Sequence, residues 1–313
     1  MTVAVKRLSL LIKIPFTILS YLIGASLDIV AYGYRFSEDT SDCQLSEVVV
    51  EYIGSHGGIN MDIAVITGAS SGMGEEFVKA IDRDYDLDEI WIIARRKERL
   101  EALGEKCRNT VRVLAMDLTD PSSFSVYEEL LKEDQPRIRL LVNSAGKGYF
   151  GRFTEMPLGE QLSCIDLNDK ALAAMCYLSL PYMDSDCSII NLGSNSSWQP
   201  VPFQNTYASS KAFVLSFSRG LGRELRPRGI HVMCVCPGWI DTEFIDLAKT
   251  DDTISYFDRW YRPEQVVEKA MRDLRKKKKI SILGLPVRLQ VMLVKHLPAG
   301  LVMNIWCRQQ KQP

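Results

Sequence analysis

Histidine is scarce in this chain, with three in 313 residues, and its eight cysteines include no Cys-x-x-Cys pair. The ligand spacings of a zinc site are therefore missing. Cys234 and Cys236 alternate along a predicted strand with His231 nearby, but no second ligand pair accompanies them and no metal is expected. The cysteines are scattered through apolar surroundings and read as reduced, buried small hydrophobes of a cytoplasmic-type compartment rather than a disulfide frame. A dominant charge is also absent: 38 Lys and Arg against 39 Asp and Glu leave a formal net charge of -1. Such a balance gives no global reason to bind nucleic acid or an acidic substrate. Nor is there a long uninterrupted apolar run. Leu8 to Ala31 is strongly apolar, but Lys13, Pro15 and Asp28 break it. Only Ile14 to Leu27 is free of charge, against the roughly 20 apolar residues of a clean spanning helix.

What is present is a 46% hydrophobic composition, enough for one large α/β domain with appendages. Residues 1–60 form an N-terminal apolar extension, with Lys6, Arg7 and Lys13 on the near side of its apolar stretch. It fits a membrane-associated segment, a packing arm or a start-site extension, since Met61 opens a segment that stands as a domain by itself. Residues 61–285 form that domain and residues 286–313 an amphipathic tail.

Asp62 to Thr67 is a short β-branched run of the kind that fills a buried parallel strand. It runs into Gly68-Ala69-Ser70-Ser71-Gly72-Met73-Gly74 and then a helical stretch from Glu75 to Ile81. In a strand, turn and helix the glycines permit tight reversal and close backbone approach to a pyrophosphate, and the helix start offers free N–H groups to the anion. Far downstream stands Tyr207-Ala208-Ser209-Ser210-Lys211, whose tyrosine and lysine share one helix face. The ammonium would favour ionisation of the phenol. Alone, the pair reads equally as an amphipathic helix with a solvated lysine. A Thr-Gly-x-x-x-Gly-x-Gly turn followed by Tyr-x-x-x-Lys resembles the short-chain dehydrogenase/reductase family, over about Asp62 to Ile282.

The resemblance implies an α/β fold: a Rossmann-type doubly wound parallel sheet in a single domain, with apolar appendages at both ends. It implies a hydride-transferring oxidoreductase whose cofactor lies along Gly68, Ser70, Ser71, Gly72, Met73 and Gly74. The next strand, Glu89 to Ile93, ends in Ala94-Arg95-Arg96-Lys97. A carboxylate there would take the ribose 2′-OH of NAD, whereas arginine suits the 2′-phosphate of NADP. With no carboxylate in that run, NADP(H) is expected, held by Arg95 in the first place and Arg96 in the second. A strand from Val111 to Met116 leads to Asp117 and Leu118, where the family's carboxylate meets the adenine amino group; Asp117 serves equally as a helix cap. Another, Ile138 to Val142, leads to Asn143, Ser144, Ala145 and Gly146. The first, third and fourth of these match cofactor positions, while Ser144 replaces the family's usual asparagine. A strand from His231 to Cys236 ends at Pro237 and Gly238, beyond which Ile240 and Thr242 correspond to groups meeting the nicotinamide carboxamide and phosphates.

Strand Ser188 to Leu192 leads to Ser194, 13 residues before Tyr207. The family uses that separation to bring two hydroxyls onto one substrate oxygen. By the same resemblance Tyr207 is the proton donor, Lys211 lowers its pKa and grips the nicotinamide ribose, and Asn168 holds a water in a proton relay. Asn168 sits in an otherwise core-like helical segment from Leu158 to Leu180. The alternative, a non-catalytic NADP-binding sensor or scaffold on this fold, would show decay of the catalytic set, and none is visible. An extended-type epimerase would carry a different glycine turn and a large C-terminal domain. Phe244 to Tyr261 reads as an aromatic loop over the substrate, a small-molecule carbonyl or alcohol of apolar character. A strand from Ile280 to Leu285 closes the sheet edge. The tail, with stretches Val287 to Leu297 and Ala299 to Cys307, resembles that of a bacterial branch grouped with the DltE-type oxidoreductases. Beside Arg275 to Lys279 it fits peripheral membrane contact, oligomer contacts or a lid over a lipophilic site. A homo-oligomer is usual among relatives.

Overall fold

The computed structural model describes residues 61–249 and 251–312. The alternatives raised for residues 1–60 lie outside the described residues. The chain opens with β1 (Asp62–Thr67), α1 (Gly72–Asp84), β2 (Glu89–Ala94), α2 (Lys97–Gly104), β3 (Thr110–Ala115) and α3 (Ser122–Asp134). It continues through β4 (Arg137–Asn143), α4 (Leu158–Ile165), α5 (Ala171–Ser179), β5 (Ser188–Leu192), α6 (Asn205–Glu224) and β6 (His231–Val235). Two residues each make β7 (Trp239–Ile240) and β8 (Trp260–Tyr261), with α7 (Glu243–Ala248) between them. The last elements are α8 (Pro263–Arg275), β9 (Ile280–Ser281), α9 (Leu285–Val294) and α10 (Ala299–Gln309).

Seven strands form one sheet in the order β3-β2-β1-β4-β5-β6-β9, every pairing parallel. Alternate residues of each strand serve opposite faces. Ile63, Val65, Trp91, Ile93, Leu141 and Ile189 meet α3, α5 and α6 through Tyr127, Leu131, Met175 and Val214. Ala64, Ile66, Ile90, Ile92, Val142 and Ile190 meet α1, α2 and α8 through Phe77, Ile81, Leu100 and Met271. Both faces are covered, which is why these strands read as continuous apolar runs. The order reverses between β1 and β4, so the crevice at the carboxyl ends of the central strands lies at a topological switch point.

Three local expectations are corrected. The helical segment from Leu158 to Leu180 is interrupted by a π-helical turn, Asp166–Lys170, between α4 and α5. Phe244 to Tyr261 contains α7, and β8 pairs with β7 as a separate two-stranded sheet, through Trp239 with Trp260 and Ile240 with Tyr261. Finally, the edge strand is only Ile280–Ser281, paired with Cys234 and Val235, because Gly284 turns at φ 85° and α9 begins at once. Among the described residues no helix is long and apolar enough to cross a membrane.

Candidate active site

The turn between β1 and α1 depends on glycine at two places. Gly68 has φ +69°, and a Cβ there would lie 2.7 Å from the Ala145 backbone. At Gly74 a Cβ would come within 2.1 Å of the Gly68 carbonyl oxygen. The neighbouring β4 loop is tied to this turn by Thr67, whose Oγ1 accepts from the backbone N–H of Ser144 and of Ala145, each at 3.1 Å. Backbone N–H groups at the start of α1 thus line a cleft into which little side chain projects, as a pyrophosphate requires.

Arg96 reaches across this turn. Its Nη2 donates to Ser71 Oγ at 2.7 Å and to Ser70 Oγ at 3.0 Å, and its Nη1 to Glu243 Oε2 at 2.8 Å. Arg95 is more open and stands 3.8 Å from the Asp117 carboxylate. Of the two arginines, Arg96 lies on the glycine turn and Arg95 beside Asp117. Glu243, the first residue of α7, also accepts from Arg99. Both guanidinium groups hold its carboxyl below the usual range. The absence of a carboxylate near the arginines thus holds along the strand end but not in space. Asp117 keeps its second oxygen for a local turn, accepting from the Thr119 backbone N–H at 2.9 Å and from Thr119 Oγ1 at 2.8 Å. Those bonds hold its pKa below the ordinary carboxylate value, although burial pulls the other way and is the largest single influence.

At the opposite end of the cleft, α6 presents Tyr207 and Lys211 one turn apart, and the loop after β5 presents Ser194. Ser194 is buried, accepting from the Ser196 backbone N–H at 3.2 Å and donating to Asn195 Oδ1 at 3.2 Å. Burial pushes the Tyr207 phenol up to about 12, while a hydrogen bond to the Ser194 side chain pulls it down. The Lys211 ammonium sits 5.8 Å from the centre of the Tyr207 ring and donates to the Leu192 carbonyl at 2.8 Å, and burial depresses its own pKa.

Asn168 occupies the π-helical turn, a departure from α-helix of the kind that re-aims a side chain. Its Oδ1 accepts from the Lys147 backbone N–H at 2.9 Å, and its Nδ2 donates to the Lys147 carbonyl and to Ser210 Oγ, each at 2.9 Å. It ties α6 to the loop after β4, directly behind Tyr207 and Lys211.

One cavity of about 670 Å³ joins these parts. Of the residues singled out from sequence it is lined by Gly68, Ser70, Ser71, Gly72, Met73, Gly74, Arg95, Arg96, Asp117, Leu118, Ala145, Gly146, Ser194, Tyr207, Lys211, Pro237, Gly238, Ile240 and Thr242. Two do not line it. Asn168 supports it from behind, and Asn143 donates from Nδ2 to Asn191 Oδ1 at 2.9 Å inside the sheet. The Asn143 side chain thus bridges two strands. The donor set fits a nicotinamide dinucleotide: bare backbone at a helix start, a guanidinium and a carboxylate at one end, and two hydroxyls with an ammonium at the other.

The remaining walls include Phe244 and Tyr256 from the aromatic segment expected over the substrate, and Gln290, Trp306 and Gln309 from the tail. Phe244 and the buried Phe150 pack against the Tyr207 ring at 5.4 and 5.9 Å, centre to centre, and Trp239 packs on Phe150 at 6.1 Å. Gln199, Gln204, Tyr256, Gln290, Trp306 and Gln309 close the side away from the glycine turn. The last two belong to α10, which folds back so that Trp306 Nε1 donates to the Pro202 carbonyl at 2.9 Å. Gln310 is buried, accepting from the backbone N–H groups of Ser255 and Tyr256 at 3.0 and 2.9 Å. The amphipathic tail fitted a lid over the site, but no periodicity or motif names the residues that make these contacts.

The sequence pattern of the short chain dehydrogenase family matches residues 62–252. The chain belongs to that family. A curated relative, sulfoacetaldehyde reductase 2 of Chromohalobacter salexigens, is 33% identical over 208 residues, covering 64% of this chain and 81% of the relative. Among solved structures, a short-chain dehydrogenase from Sphingobium yanoikuyae in complex with NADPH is 29% identical, with a TM-score of 0.64 over 80% of this chain and 94% of that one. The bulky-bulky ketone specific alcohol dehydrogenase from Comamonas testosteroni is 26% identical, with a TM-score of 0.60 over 80% and 93%. The chain is thus an oxidoreductase of the short-chain dehydrogenase type, binding a nicotinamide cofactor and acting on a carbonyl or alcohol.

Proposed function

We propose that this chain is an NADP(H)-dependent reductase of bulky, apolar carbonyl compounds, or a dehydrogenase of the corresponding secondary alcohols. One observation carries the reading: the hydrogen-bonded hydroxyls of Tyr207 and Ser194 face the same aromatic-walled cavity that has the Arg96 guanidinium at its far end. When bound, NADPH supplies the hydride. The residues manage the charge that then grows on the carbonyl oxygen. Ser194 donates to that oxygen and fixes its position, a preorganised donor of the oxyanion type. Tyr207 donates the proton; a phenol whose pKa is raised by burial keeps that proton ready at neutral pH. Lys211, backed by Asn168, holds the ribose side of the cofactor and returns a proton to Tyr207. Arg96 binds the 2′-phosphate, Arg95 and Asp117 flank the adenine, and Ile240 and Thr242 face the nicotinamide end. The NADPH complex and the bulky-ketone enzyme among the similar structures support this choice of cofactor and substrate.

Residues 61–285 act as the catalytic domain, and the inner side of the 286–313 tail works as a wall over the substrate. The seven free cysteines among the described residues suit a reducing cytoplasmic compartment. A homo-oligomer is part of this reading, because Leu158, Leu162, Ile165, Tyr177 and Phe213 leave a large apolar area exposed on α4, α5 and α6. So is peripheral contact with a membrane. The decisive experiment is NADPH oxidation against a panel of aryl ketones, steroids, aldehydes and 3-oxoacyl thioesters, with Tyr207→Phe beside the wild type. Turnover of bulky ketones lost in Tyr207→Phe, with NADPH binding kept, is expected. Silence across the panel with tight NADPH binding would favour a non-catalytic sensor or scaffold.

A further inference from the structure

Helices α9 and α10 are amphipathic in an unusual sense, because their solvent side is apolar as well. Inward, α9 buries Val287 and Val291, and α10 buries Val302 and sends Trp306 to the Pro202 carbonyl. Outward, Leu285, Leu289, Met292 and Leu293 fall at i, i+4, i+7 and i+8, one stripe of an α-helix. Their exposures are 66%, 45%, 53% and 56%. Leu301 and Ile305 add a second pair one turn apart on α10. Large aliphatic side chains left this open in a row mark a surface that meets something apolar.

Charge decides what that is. From Leu274 to Pro313 the sequence contains nine Lys and Arg and not one Asp or Glu. Arg288 stands on α9, Lys295 directly after it and Arg308 on α10, all exposed, with the Lys295 ammonium 4.9 Å from the centre of the Trp198 ring. Some of the preceding basic run is already neutralised, since Lys278 pairs with Asp273 at 2.9 Å and Arg275 with Asp84 at 3.1 Å. A second copy of this face would bring like charges together with no carboxylate to separate them. The apolar stretch at the N-terminus is likewise preceded by Lys6, Arg7 and Lys13, so it offers no complement either. An anionic lipid surface supplies both missing halves, an apolar layer and negative headgroups.

We propose that the outward face of α9 and α10 docks on an anionic lipid surface, with Leu289, Met292 and Leu293 entering the acyl boundary and Arg288, Lys295 and Arg308 meeting headgroups. The inner side of the same two helices, through Gln290, Trp306 and Gln309, lines the cavity. Docking therefore sets the cavity wall against the bilayer, where apolar substrates are concentrated. This surface reading stands apart from the cofactor and substrate assignment, since lipid binding is read without turnover.

The test is co-sedimentation of the full chain with phosphatidylcholine vesicles, with and without phosphatidylglycerol. Two variants accompany it: Leu289→Glu/Met292→Glu/Leu293→Glu and Arg288→Gln/Lys295→Gln/Arg308→Gln. Wild type is expected to prefer the anionic vesicles. The charge variant should lose about a hundredfold in affinity for them, and the apolar variant should lose about as much or more on both vesicle types. Melting temperatures of both variants should match wild type; should the apolar variant unfold, the charge variant alone still tests the proposal. Equal vesicle binding by wild type and variants would overturn it, assigning lipid contact to the N-terminal stretch. So would a change in the sedimentation coefficient of vesicle-free protein with no change in vesicle binding, which would mark a self-association face.

Discussion

Replacing Arg96 by serine separates the two nicotinamide cofactors. The Arg96 guanidinium lies on the glycine turn, in contact with both serine hydroxyls, and carries the positive charge nearest to them. Two charge-assisted hydrogen bonds to a 2′-phosphate contribute about 1.5–3 kcal/mol each. Against this stands release of the Arg96–Glu243 pair, which is exposed on both sides and contributes at most about 1 kcal/mol. The net loss in Arg96→Ser is about 3 kcal/mol, or roughly a hundredfold weaker NADPH binding. NADH has no 2′-phosphate and should lose less than about threefold. Arg95→Ser, which removes a more exposed side chain 3.8 Å from Asp117, should weaken NADPH by less than about tenfold. The assay is titration of cofactor fluorescence or calorimetry at fixed, low ionic strength, since screening reduces all these terms. Equal losses for NADPH and NADH, or a larger loss in Arg95→Ser than in Arg96→Ser, would refute the reasoning.

Glu243→Gln removes the carboxylate that a phosphate must displace from Arg96 and Arg99, so NADPH should bind a few-fold more tightly and NADH about as before. The pH dependence of stability tests Tyr207. Its folded pKa lies above the unfolded value of 10, so its contribution is fully present below pH 10 and is lost as pH rises toward about 12. The melting temperature of Tyr207→Phe should consequently fall less steeply than that of wild type between pH 9.5 and 11, and parallel curves would contradict the assignment of burial as the cause. Two glycines give opposite signs. Gly74→Ala drives a Cβ into the Gly68 carbonyl and should cost at least about 2 kcal/mol by thermal unfolding. At Gly159 in α4 a Cβ meets nothing within 4 Å, so Gly159→Ala should stabilise by about 0.5–1 kcal/mol.

The chain spelled out its sheet and one end of its site because those features are local. Strands buried on both faces read as nearly continuous apolar runs, so β1, β2 and β5 were readable nearly to the residue. A glycine that must let a helix touch a strand, and a tyrosine and lysine one turn apart, are patterns within a few positions of sequence. Sequence distance alone also paired Ser194 with Tyr207. What it did not show turned on contacts between distant segments. The pairing of the Asn143 side chain with Asn191 inside the sheet, and the placing of Arg96 on the glycine turn, followed only from side-chain direction in the folded chain. Glu243 reached the arginines from 147 residues away, which no local pattern announces. The burial that raises the Tyr207 pKa is likewise a property of the assembled cavity. The tail carried its amphipathic character openly in sequence. Only the folded chain decided that its inner side walls the cavity while its apolar outer side faces away, because burial is assigned by tertiary packing and not by composition.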